Sequence, residues 1–256
     1  MPEETLAVRS PGVEVSGGPP LAQPPGSSLR RSRVLLLAVL ILGAAFGASA
    51  WAALDPGRAG LSLLLAAAAL IAGVALWLET GQSSTKELAM VAALGAVAAA
   101  GRVLFAFVPG VQPVTVIAMA SGAALGARAG AGVGAVAALS SNFFLGQGIW
   151  TPWQMLGWAA CGAAGGLLAT RLRRRSAFVV AAFVFGALFS LMMDVWEWYS
   201  FFPHTWQSFV VVVSRGIPFV LAHAIGNALI VLFAGPELFR MLDRYGRRLR
   251  TEVIWR

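Results

Sequence analysis

The chain has 256 residues, 58% hydrophobic and only 12% charged, with a mean hydropathy of +0.77. A soluble domain carries about 25% charged residues, so this composition points to a membrane protein rather than a water-soluble enzyme. The net charge of +8 is not a nucleic-acid footprint, because the basic residues sit in short clusters between long apolar runs. The lone cysteine, Cys161, supplies neither a disulfide nor a Cys-rich metal site.

Residues 1–29 are rich in Pro, Gly and Ser and poor in bulky apolar residues, the composition of a disordered cytoplasmic tail. The first apolar run begins only at Val34, too late for the core of a cleaved signal peptide. Runs 34–54 and 59–78 are each about 20 residues, enough to cross a bilayer core of about 30 Å. They predict an N-terminal two-helix membrane unit over 30–85, bounded by the polar connection 79–87. Six further spans follow within a core of residues 86–235, over 88–108, 114–127, 129–145, 153–170, 176–199 and 208–235. Residues 236–256 form a basic cytoplasmic tail. The fold class is therefore an all-α polytopic membrane helix bundle of about eight transmembrane helices.

The positive-inside rule orients it. With both termini in the cytoplasm, 16 of the 19 basic residues fall in inner segments, including Lys86, Arg128 and the arginines of 171–175. Only Arg58 falls in an outer loop, and Arg102 and Arg215 fall at membrane depth. Six spans with 114–145 as a re-entrant hairpin keep the same parity. Trp51, Trp150, Trp153, Trp196, Trp198 and Trp206 all fall at outer segment ends, as an aromatic belt requires.

Small residues run through the middle. Gly122, Gly126, Gly130 and Gly134 recur every four residues, as do Gly162 and Gly166, the spacing that lets helices approach closely in lipid. Ala89, Ala93, Ala96 and Ala100 make one smooth stripe on the third span. Such a stripe serves either internal packing or a partner's helix.

Charge at membrane depth is costly and is a functional hypothesis by default. At 1.5 Å per residue, Arg102 stands about 24 Å above the inner end of its span. On the same measure Asp194 stands about 27 Å up, Glu197 about 31 Å and Arg215 about 30 Å. These four charges share the outer quarter of the bilayer with Asn142, Gln147, Thr151 and Gln154. Two accounts fit them: structural salt bridges and snorkelling, or a substrate pocket open to the outside and ringed by Trp. The candidate substrate-side residues are Arg102, Asn142, Gln147, Trp150, Gln154, Asp194, Glu197 and Arg215. His223 and Asn227, four apart on the last span, share a face suited to interhelical hydrogen bonding.

No catalytic set converges. There is no Gly-x-Ser-x-Gly, no His-Glu-x-x-His and no Walker-type phosphate loop. No enzyme activity, cofactor or metal site is expected.

Residues 86–235 resemble the substrate-binding (S) components of energy-coupling factor (ECF) vitamin transporters. The likeness rests on Arg102 followed by Val108-Pro109-Gly110-Val111-Gln112-Pro113, and on Ser121-Gly122 through Gly130. Above all it rests on Ser141-Asn142-Phe143-Phe144 with Gly146-Gln147-Gly148-Ile149-Trp150-Thr151-Pro152-Trp153-Gln154-Met155. The resemblance implies a six-helix core that captures a vitamin or related micronutrient outside the cell. It also implies docking to a transmembrane T component coupled to two ATP-binding subunits, whose cycle topples the S component and releases substrate inward. Docking in that family uses Ala-x3-Ala on the first core helix, matched here by Ala89 and Ala93, with Ala92 and Ala96 as a second register. The two N-terminal spans depart from the six-helix pattern. The rival expectation is a non-transporting membrane scaffold whose ring of charge is structural. Both place the chain in a bacterial plasma membrane, in contact with lipid and with no nucleic-acid partner.

Overall fold

The computed structural model of the chain describes residues 85–250, with side chains to residue 246. The tail expected over 1–29, the spans 34–54 and 59–78, and the last six residues lie outside the described residues. Among the described residues every regular element is a helix and none is a strand. In chain order they are α1 (Thr85–Leu104), α2 (Val114–Leu125), α3 (Ala127–Leu145), α4 (Thr151–Leu167), α5 (Ala169–Leu172), α6 (Arg175–Phe201) and α7 (Trp206–Arg250).

The six long helices correspond to the six core spans, and their ends are set by local chemistry. α1 stops at Leu104, short of the expected 108, because Ala106 and Val108 bond to the carbonyls three residues back. That tightening leads into Pro109, which cannot donate a backbone hydrogen bond. α2 and α3 part at Gly126 (φ 103°), whose N–H still reaches the Gly122 carbonyl at 2.8 Å. α4 starts two residues early, with Pro152 in its first turn, where a missing N–H costs nothing.

The last helix departs most from expectation. Pro236 does not end it; α7 runs 45 residues, through Pro218 and Pro236, to Arg250. A proline inside a helix removes one hydrogen bond and costs about 3 kcal/mol, so the turns beyond it must be held by packing. Leu242 is fully buried, and Phe239 meets Phe178 edge-on at 5.0 Å. These contacts tie the far end of α7 to the start of α6.

Two packed units make the bundle. α1 to α4 form one, with α3 against α1 and α4, and α2 wedged between α3, α4 and α7; α6 and α7 form a hairpin that makes the other. α2 has only 12 residues, about 18 Å by rise, and nine of them are buried. At its far end Gly122, Gly130 and Gly162 bring three helices into backbone contact. A methyl group on Gly122 would overlap the Gly162 carbonyl oxygen, and one on Gly162 would overlap that of Gly130. The glycine repeat is thus packing, except at Gly126, which makes the turn and has nothing near it. The two units meet where Trp158 of α4 stacks on Phe189 of α6 at 4.2 Å, and Phe189 in turn stacks on His223 of α7 at 5.4 Å.

The outer surface is apolar. Val180, Phe183, Leu188, Phe219, Ile225, Leu229 and Phe233 are exposed along α6 and α7, which water would not tolerate over so large an area. α1, α6 and the stretch Trp206–Gly246 of α7 are each long and apolar enough to cross a membrane. The protein is a helical membrane protein.

Candidate functional site

Arg102 sits in the last turn of α1, only 6% exposed. α1 packs its Val91, Leu94, Gly95, Ala98, Ala99 face inward, and residue 102 continues that face at helical spacing. A guanidinium carries five donors and no acceptor. Its Nε donates to Gln112 Oε1 at 3.0 Å. Nη1 donates to Ser141 Oγ at 2.7 Å and to Asn142 Oδ1 at 2.5 Å. Nη2 reaches Gln154 Oε1 at 3.5 Å. The guanidinium carbon stands 4.9 Å from the centre of the Trp158 ring, a cation–π distance.

The partners come from three segments: the turn after α1, the end of α3 and the start of α4. The α3–α4 loop holds the last two together. Gly146 has φ 104°, a conformation that a side chain disfavours, and its N–H bonds to the Asn142 carbonyl at 2.9 Å. Asn142 Nδ2 donates to Thr151 Oγ1 and to Gln154 Oε1, both at 2.9 Å. Thr151 donates to Gln147 Oε1 at 2.9 Å, and Gln147 Nε2 donates to the Leu139 carbonyl at 3.0 Å. Asn142 and Thr151 are buried, whereas Gln147 is exposed. Trp150 is 37% exposed and lies across Gly148.

A second polar chain runs from this cluster to α7. Trp158 Nε1 donates to Thr115 Oγ1 at 3.1 Å, and Thr115 Oγ1 lies 3.1 Å from His223 Nε2. His223 Nδ1 lies 2.7 Å from the Gly110 carbonyl. A carbonyl only accepts, so Nδ1 carries the proton and Nε2 is free to accept the Thr115 hydroxyl. Asn227, on the same face, is fully buried, and neither its Nδ2 nor its Oδ1 has a hydrogen-bond partner among the described residues.

Of the eight expected substrate-side residues, Arg102, Asn142 and Gln154 are in direct contact. Gln147 joins them through Thr151, and Trp150 stands at the rim outside the network. Asp194, Glu197 and Arg215 form a separate group on α6 and α7. Arg215 pairs with Glu197 at 2.5 Å, with both side chains well exposed. Asp194 packs its carboxylate on the backbone at Gly216, and its Oδ2 is buried with no hydrogen-bond partner among the described residues. Helix rise alone put the four charges at one level, but their contacts do not make one site.

Ser141, Gln112, Thr115 and Trp158 belong to the network and were not among those eight. Two had a legible signal: Trp158 stands one turn after Gln154, and Gln112 is the polar residue of the turn that follows Arg102. Ala89, Ala93, Ala96 and Ala100 are all exposed, and the helices of residues 85–250 do not cover them. Among the described residues no group of three His, Cys, Asp or Glu side chains is placed to hold a metal ion.

Residues 82–245 match the model of a family of unknown function, DUF6580, and the chain belongs to that family. No curated protein and no solved structure matches it.

Proposed function

We propose that this DUF6580 protein is the substrate-binding membrane component of an ECF-type importer, which captures a vitamin or related micronutrient outside the cell. One observation carries the reading. The loop string that resembles ECF S components, 141–155, supplies Ser141, Asn142, Thr151 and Gln154 to a single buried cluster around Arg102. Those polar side chains converge at one end of an otherwise apolar bundle, the form that a small-molecule site takes.

In this reading the cluster end faces outward, both termini face the cytoplasm, and the full chain crosses a bacterial plasma membrane eight times. The arginines of 171–175 and of the far end of α7 then lie inside. α2 is enclosed by other helices, so its short length need not match the hydrocarbon thickness. The exposed stripe of Ala89 and Ala93 is the face for a T component, which couples to two ATP-binding subunits. Its neighbours Leu88, Ala92, Ala96 and Val97 are exposed with it, so a partner helix meets a smooth apolar surface.

The test is a binding screen. The purified full chain is titrated calorimetrically with B vitamins, cobalamin and corrinoid precursors. Tight binding of one of them is expected; binding of none by a folded sample would leave a structural scaffold as the better account. Bulky replacements at Ala89 and Ala93 should abolish uptake in cells and leave that binding intact. Unchanged uptake removes the docking role from the stripe.

A further inference from the structure

We infer that the ligand of the Arg102 site presents a carboxylate or phosphate group, met by Arg102 together with the side-chain amides of Gln112 and Gln154. The inference rests on the capture reading above and adds the chemical class of the captured group.

The first observation is an uncompensated charge. Arg173–Asp243, Arg215–Glu197 and Arg240–Glu237 are ion pairs in which an arginine meets a carboxylate. Arg102 has no such partner among the described residues, yet it is buried and bonded to neutral oxygens alone. A charge taken out of water is expensive unless an opposite charge accompanies it. Neutral hydrogen bonds offset only part of that cost.

The second observation is the polarity of what remains. Because a guanidinium only donates, each amide beside it must turn its oxygen inward. Gln112, Asn142 and Gln154 all do so. Asn142 then spends its Nδ2 on Thr151 and on Gln154 Oε1. Gln112 Nε2 and Gln154 Nε2 have no hydrogen-bond partner among the described residues, and both side chains are partly exposed. Nη2 of Arg102 has only its 3.5 Å contact, so one of its two N–H groups has no acceptor. Trp158 occupies the ring-stacking position at the guanidinium. The unused groups of the cluster are therefore all donors, gathered about a positive charge. A cationic or donor-rich ligand group finds nothing to bind there. A carboxylate or phosphate supplies the missing charge and at least two acceptors, in charge-assisted bonds.

The experiment uses the full chain in detergent and matched ligand pairs by calorimetry: nicotinate against nicotinamide, pantothenate against panthenol, biotin against biotinamide, and pyridoxal phosphate against pyridoxal. The anionic member of at least one pair should bind about 10- to 100-fold more tightly than its neutral partner. The pair that responds separates carboxylate from phosphate. Gln154→Glu places a carboxylate beside Nη2 as a built-in counter-ion. That variant should unfold at an equal or higher temperature and lose the preference for the anion. Equal or tighter binding of the neutral member, or a preference that survives Gln154→Glu, overturns the inference while capture itself stands. Binding of no compound, in these pairs or in the wider vitamin screen, overturns the capture reading and this inference with it.

Discussion

Arg102 and Arg215 stand about 24 and about 30 Å along their spans by helix rise, carry the same charge and sit on apolar helices, yet they occupy opposite environments. Arg102 is sealed among α1, α3 and α4 and is held by neutral oxygens from three segments. Arg215 is open on α7 and is tied to one carboxylate, Glu197. Depth along a helix is a matter of residue count, whereas partners depend on which way the helix is turned and what lies beside it. A shared level is thus weak evidence for a shared site.

The difference should be largest on removing each arginine. Arg102→Leu removes a buried charge but leaves the oxygens of Ser141, Asn142, Gln112 and Gln154 facing an apolar side chain; at about 1–3 kcal/mol for each buried group left unsatisfied, it should still cost about 3 kcal/mol net in thermal or denaturant unfolding of the detergent-solubilised protein. Arg102→Lys restores the charge but not the planar fork, so it should recover less than half of that loss. If Arg102→Leu is as mild as Arg215→Ala, the contrast between the two sites is lost.

A coupling of intermediate size is expected on the α6–α7 side. A methyl group at Gly216 would collide with the Asp194 carboxylate. Gly216→Ala should therefore destabilise the protein, although alanine favours a helix over glycine by about 1 kcal/mol. In an Asp194→Ala background the same substitution should be stabilising. A double-mutant cycle should give a coupling of about 1–3 kcal/mol. Additive effects would mean that the carboxylate does not rest on that backbone.

The smallest effect belongs to the exposed pair. Glu197→Gln or Arg215→Ala should change stability by less than about 1 kcal/mol, and added salt should shrink the change further. A loss as large as that of Arg102→Leu would show that the end of α6 and the start of α7 carry a site of their own.

The legible parts of the chain were those set by one helix at a time. Apolar run length located five helices within a few residues, and the turn at Gly146 fell where the runs break, while the turn at Gly126 came two residues before the expected break at Arg128. α7 escaped this reading because Pro236 is a local signal, while Leu242, buried in the core, and Phe239, packed on Phe178 of α6, override it. At the site, Arg102, Asn142, Gln147 and Gln154 were legible as polar residues in apolar surroundings. Ser141 and Thr115 were not, since serine and threonine bond readily to their own helix backbone and do not stand out. Trp158 was not singled out; it packs against Phe189 as well as Arg102.

Composition and periodicity by themselves determined that this is an apolar helical protein with a few expensive polar residues near one end. Hydrophobicity and rise per residue act along a single helix, so they can be read without neighbours. Tertiary structure alone decided that Arg102 is buried without a carboxylate among the described residues, that Arg215 takes Glu197, and that the helices of residues 85–250 leave the alanine stripe of α1 exposed. Those outcomes depend on how each helix is rotated and on which one approaches it, and contacts between distant segments settle both.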